Sequence, residues 1–205
     1  MANPRRVAVS VLMKIEADNA YSNIVLANSL KEAELSAADK GLVSALVYGV
    51  LDRKITLDFV LSRYMKAPLK KTPPFTLNVL RSALYQIMYM DKIPQSAAVN
   101  EAVKLIKGSK QARNSGFVNA VLREIIRNQD NLSFTDSKED LSVKYSCPLW
   151  IVESFLEDYG LDTTKLLLEE SLKAAPYVIR TNTLKISTED LKKERQRFDR
   201  ENFSA

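Results

Sequence analysis

The sequence of 205 residues contains no histidine. Imidazole general bases, histidine-assisted nucleophiles and most zinc or iron sites are excluded with it. Its one cysteine, Cys147, can build neither an internal disulfide framework nor a thiolate metal cluster. The five glycines lie at 41, 49, 108, 116 and 160, never closer than eight residues. No G-x-G-x-x-G turn or Walker-type phosphate loop fits that spacing. No apolar run is long enough to span a bilayer, and the start "MANPRRVAVS" lacks the apolar stretch of a signal peptide. These absences leave no candidate catalytic, cofactor-binding or metal-binding residue. They also predict no membrane contact and a soluble, cytoplasmic protein.

What is present is helical and unevenly charged. The chain is 46% hydrophobic and 27% charged, an ordinary globular balance. Residues 1–130 carry 19 Lys+Arg against 11 Asp+Glu, or +8, while residues 131–205 carry 11 against 14, or −3, for a net charge of +5. A basic first segment suits a polyanion such as RNA, and the change of sign predicts two units.

Apolar residues in the first segment recur at helical period. Asn3-Pro4 is a helix start, with Asn as cap and Pro at the first position. Ser36 with Asp39 resembles a capping box before the stripe Leu42, Val43, Leu46, Val47 and Val50. Thr56 and Ser96 are expected to cap two further helices, and Gly108 suits the end of the second of these. In "SGFVNAVLREI" the residues Phe117, Val118, Val121, Leu122 and Ile125 form one apolar face, so Phe117 is expected in the core. Seven helices are predicted in residues 1–130, with no alternating strand among them, which describes a compact bundle.

The texture changes after residue 130. "NQDNLSFTDSKED" reads as a linker. A helix, a Cys-Pro break and a helix ending at Gly160 follow, and another helix starts at Asp162 or Thr163. Cys147, at that break, is expected to be a small buried thiol. Residues 177–184 alternate, with Tyr177, Ile179, Thr181 and Thr183 set against Val178, Arg180, Asn182 and Leu184, and predict one strand. A lone strand needs partners. The expected fold class is therefore mainly α: a helical bundle over 1–130, then a smaller, incomplete α/β segment over 131–205.

Several blocks together resemble a known family. "PRRVAVSVLMKIE", "LVYGVLDRKITLDFVL", "LNVLRSALYQIMYMDKIPQSAAVNEAVKLIK" and "SGFVNAVLRE" resemble the NusB-like RNA-binding helical domain. That domain occurs as a free transcription antitermination factor and at the front of Sun/RsmB-type 16S rRNA cytosine-5 methyltransferases. "YSCPLWIVESFLEDYG" and "YVIRTNTLK" resemble the start of the methyltransferase's N-terminal subdomain. The resemblance implies the front part of such an enzyme, inactive alone because its own catalytic domain is missing. S-adenosylmethionine is implied for the complete protein and no cofactor for this chain. Cys147 precedes its proline and does not carry over to the family's Pro-Cys nucleophile. The alternatives are an antitermination factor that binds RNA and a ribosomal protein, and a purely structural scaffold.

The implied partner is RNA, in the first instance small-subunit ribosomal RNA. Arg5 and Arg6, at the start of the first helix, are candidate contacts, because the free factors use a basic N-terminal segment. Lys104, Lys107, Lys110 and Arg113 follow one another about a turn apart and predict a basic ridge facing phosphate. Arg123 is a further candidate, either on phosphate or paired with a carboxylate such as Glu101, while Asn119 is expected to be structural, capping or bridging helices. Arg180 and Asn182 share one face of the predicted strand, which by resemblance points toward the substrate nucleotide.

Overall fold

The computed structural model describes residues 2–128, 133–173, 178 and 180–203, with side chains as far as residue 195. Regular structure among them is helical. Seven α-helices come first: α1 (Pro4–Asp18), α2 (Ser22–Glu32), α3 (Ala37–Asp52), α4 (Lys54–Tyr64), α5 (Pro74–Tyr89), α6 (Gln95–Lys107) and α7 (Ser115–Asn128). Then follow α8 (Lys138–Tyr145), α9 (Leu149–Ser171) and α10 (Thr188–Phe203), with single 3-10 turns at Leu69–Lys71 and Ala112–Asn114. The chain divides into two units, Met1–Ser171 and Leu172–Ala205.

α5 is the axle of the first unit. It packs against α1, α3, α4, α6 and α7. Its Val79, Leu80, Ala83 and Leu84 are buried, and so are the polar residues Thr76, Asn78, Arg81, Ser82 and Gln86. A helix apolar on only one face lies at a surface, whereas one buried on several faces sits at the centre. Around it Leu12, Leu46, Leu57, Ile106, Leu122 and Ile125 close one continuous core.

The caps of α1 and α3 match the sequence. The Asn3 side chain accepts from the Arg6 N–H, and the Ser36 hydroxyl accepts from the Asp39 N–H. Two expected caps are differently used. Pro94, not Ser96, precedes α6, and Ser96 lies inside its first turn. Thr56 lies inside α4, where its buried hydroxyl donates to the Val143 carbonyl at 2.5 Å. The open N-terminus of α4 is served instead from far along the chain: the Ile55 N–H donates to the Ser146 hydroxyl at 3.2 Å. Ser146 has left-handed backbone (φ 52°) and ends α8, so the same turn that stops α8 docks it on α4.

Gly160, at φ 71° and ψ 175°, breaks α9 into two pieces, which fits the predicted helix end there. The Tyr145 hydroxyl donates to Glu169 across the α8–α9 contact at 3.0 Å. Cys147 is half-buried, and burial pushes its thiol up from its ordinary value, away from a reactive thiolate.

The second unit departs from expectation. Tyr177 and Ile179 of the predicted strand lie outside the described residues, and no strand forms among the described ones. Residues 183–185 form a turn. The Asn182 side chain accepts from the Leu184 N–H at 3.1 Å, and its carbonyl accepts from the Lys185 N–H at 2.9 Å. With no strand to pair among the described residues, this backbone satisfies itself locally, as asparagine favours.

Candidate nucleic-acid interface

Two sets of cations occupy the bundle, and they are treated oppositely. The first is internal. Arg81 on α5 is 4% exposed. It donates to both Asp58 oxygens on α4, at 2.6 and 2.8 Å, and to Glu16 on α1 at 2.7 Å. Asn78 donates to the other Glu16 oxygen at 2.8 Å, and Lys54 lies 3.4 Å from Glu16 and 3.6 Å from Asp58. Burial acts to raise the Glu16 carboxyl, but the Asn78 hydrogen bond and the Arg81 and Lys54 charges together hold it below its ordinary value. This lock joins α1, α4 and α5. Its carboxylates come from other helices and are not paired with Arg81 by sequence, although an arginine flanked by Leu77, Leu80 and Leu84 on one helix is a visible signal.

The second set is external, and the fold assembles it from distant segments. The Arg6 guanidinium on α1 donates to the Gly108 carbonyl at the end of α6, 2.6 Å away across 102 residues of sequence. That hydrogen bond places Arg6 beside the segment that runs from Lys107, the last residue of α6, through Lys110 to Arg113. The loop is itself pinned. The Ser109 hydroxyl donates to the Ile106 carbonyl and accepts from the Gln111 N–H. The fully buried Thr76 hydroxyl donates to the Gln111 side chain and accepts from Asn114. Arg6, Phe75, Gly108, Ser109, Lys110 and Gln111 line an open groove of about 590 Å³ with no carboxylate in its wall. Lys107, Lys110 and Arg113 are exposed and have no ion-pair partner among the described residues. Lys104, one turn back, pairs with Glu101 at 2.6 Å.

The remaining candidates are dispersed. Arg5 is half-buried and donates from Nε to the buried Gln86 side chain at 2.8 Å. Arg123 is exposed and donates to Asn119 at 2.9 Å, and Glu101 is taken by Lys104. Arg180 and Asn182 are at the surface of the second unit, around a turn rather than on a strand face. Phe117 is 36% exposed, a correction to the expected core position. The buried stripe of α7 is Val118, Val121, Leu122 and Ile125, and Phe117 falls on its outer shoulder. Gly116 beside it has open space where a side chain would go.

Among the described residues no helix is long and apolar enough to cross a membrane, and no group of three metal-ligating side chains forms. The fold and this surface define an all-helical bundle with a pre-formed basic corner. The chain belongs to the NusB family, whose model matches residues 2–127. A second model, the ferredoxin-like domain of RsmF/B-like methyltransferases, matches residues 147–199. The chain is 35% identical over 191 residues to the probable ribosomal RNA small subunit methyltransferase B of Bacillus subtilis, covering 91% of this chain and 42% of that one. It is 25% identical over 124 residues to the transcription antitermination protein NusB of Acetivibrio thermocellus, covering 60% of this chain and 86% of that one. Among solved structures, the crystal structure of PH0851 has the same fold, with a TM-score of 0.64 at 18% identity over 95% of this chain and 44% of that one. The chain thus spans about two-fifths of the length of its methyltransferase relatives.

Proposed function

We propose that this chain is the RNA-recognition part of an S-adenosylmethionine-dependent small-subunit rRNA cytosine-5 methyltransferase, working in the cytoplasm. The observation that carries the reading is the corner built by the Arg6–Gly108 hydrogen bond. It brings Arg6 of α1 to the same groove as Lys110, on a pinned loop between Lys107 and Arg113, and no carboxylate lines that groove. Exposed unpaired cations on a rigid base are suited to phosphate, because no ion pair has to be broken first. Phe75 in the groove wall adds an aromatic face on which a base can stack. Lys104 extends the ridge once its exposed pair with Glu101 opens, and Arg5 holds α1 in place through Gln86. Arg180 and Asn182 are assigned to the approach of the substrate strand.

Methyl transfer is assigned to the portion of the relatives that this chain does not span. The sequence has neither a glycine-rich loop nor a Pro-Cys pair, so incubation with S-adenosylmethionine and small-subunit rRNA should yield no methylated product. The match at 147–199 and the 91% coverage favour this reading over a free antitermination factor with a ribosomal-protein partner.

The test is the salt dependence of RNA binding. Replacing Arg6, Lys107 and Lys110 by alanine together should flatten the slope of log K against log salt by about one unit for each phosphate left without its cation. Cognate and scrambled RNA should be weakened alike. An unchanged slope, or no RNA binding by the wild type at low salt, overturns the assignment.

A further inference from the structure

α6 and α7 pack side by side, and the groove at the start of α6 lies far from the basic corner at its end. Thirteen residues at 1.5 Å each separate the two by about 20 Å. This second groove, about 380 Å³, is lined by Gln95, Ser96, Val99, Arg123, Ile126 and Arg127. Its floor is apolar, with Val99 1% exposed and Ile126 packed against the core. Its rim is cationic, and none of the lining residues is acidic.

We infer that this groove takes one unpaired nucleobase of single-stranded RNA, with Arg123 against the ring and Arg127 on a neighbouring phosphate. The inference rests on the RNA-binding reading and adds to it a base-dependent subsite. The volume is at the small end for a ligand pocket, which suits a single flat ring. An apolar floor calls for an apolar face, and two guanidiniums call for negative charge close beside it. Unpaired RNA offers both within one nucleotide, since its bases can be splayed out and stacked on arginine planes.

The side chains are arranged for this. Arg123 is already restrained by its 2.9 Å hydrogen bond to Asn119, so stacking costs it little further freedom. Arg127 pairs with Glu124 at 3.0 Å, but both are well exposed, and such a pair is weak enough to yield to phosphate. The exposed Ser96 hydroxyl offers a donor and an acceptor for a base edge.

The experiment compares a ten-nucleotide single-stranded RNA with its fully abasic copy, both bound to the chain as it stands. Ser96→Trp fills the groove from an exposed position, and Arg123→Gln removes the stacking plane without touching the core. The wild type should prefer the intact RNA. In Ser96→Trp that preference should fall about tenfold, and in Arg123→Gln by a smaller factor. The salt slope of Ser96→Trp should equal that of the wild type, because the basic corner is untouched. A preference unchanged in both variants overturns the subsite, and leaves the RNA reading standing if the triple alanine variant of the corner still flattens the slope. Failure of the wild type to bind either RNA overturns both.

Discussion

Arg81 and Arg6 are the same residue type in one bundle, and their surroundings give them opposite work. Arg81 is enclosed, with two carboxylates and an amide satisfying its guanidinium. Arg6 is exposed, and its tertiary hydrogen bond among the described residues goes to a neutral carbonyl. A buried cation with its counter-charges spent contributes to holding helices in register and has nothing left for a ligand. A surface cation held by a neutral acceptor keeps its charge available. Counting arginines along the chain cannot separate the two cases, because the carboxylates that decide them, Glu16 and Asp58, come from other helices.

The strongest way to break this contrast is Arg81→Ala. It leaves Glu16 and Asp58 facing a partly buried gap, and a loss of about 3–5 kcal/mol in denaturant unfolding is expected. A loss under about 1 kcal/mol would show that the enclosed network contributes no more than a surface pair.

A smaller effect sharpens the same point through pH. The Glu16 carboxyl is held below its ordinary value of 4.5, so its folded pKa is depressed. Its contribution is present in full above that ordinary value and disappears as pH falls through the lower, folded one. Melting temperatures of wild type and Glu16→Gln should therefore differ near neutrality and converge in acid. Parallel curves down to about pH 3 would remove Glu16 from the account.

The smallest expected effect is that of Phe117→Ala on α7. Leu122→Ala, at a fully buried position, should cost about 2–5 kcal/mol, whereas Phe117→Ala should cost less than about 1 kcal/mol because its ring is already partly in water. Equal losses would return Phe117 to the core.

The helices were legible because each needs only its own period and ends. Asn3-Pro4, Ser36-Asp39 and Gly160 are local signals, and each does locally what it announced. Thr56 and Ser96 have the right chemistry for caps, but the boundary went to Arg53 and Pro94, and Thr56 found its partner on α8. The stretch 177–184 has a strand's composition, yet a strand is defined by its neighbour, and of its described residues Asn182 closes a turn. The basic ridge from Lys104 to Arg113 was visible as spacing. That Arg6 joins it and Arg5 does not was invisible, since this depends on which of two adjacent side chains meets Gly108 and which meets Gln86.

The Ser146 hydroxyl on the Ile55 amide has a consequence in time. As a chain grows from its N-terminus, α4 is complete long before the group that closes its first turn, 91 residues later, has been made. At about 5–20 residues per second, that gap lasts roughly 5–18 seconds. For that interval α4 has an open end and a buried-to-be threonine, Thr56, without its acceptor on Val143. The match to the NusB family ends at residue 127, before either partner appears. The N-terminus of α4 is therefore closed by a segment that lies beyond the family match.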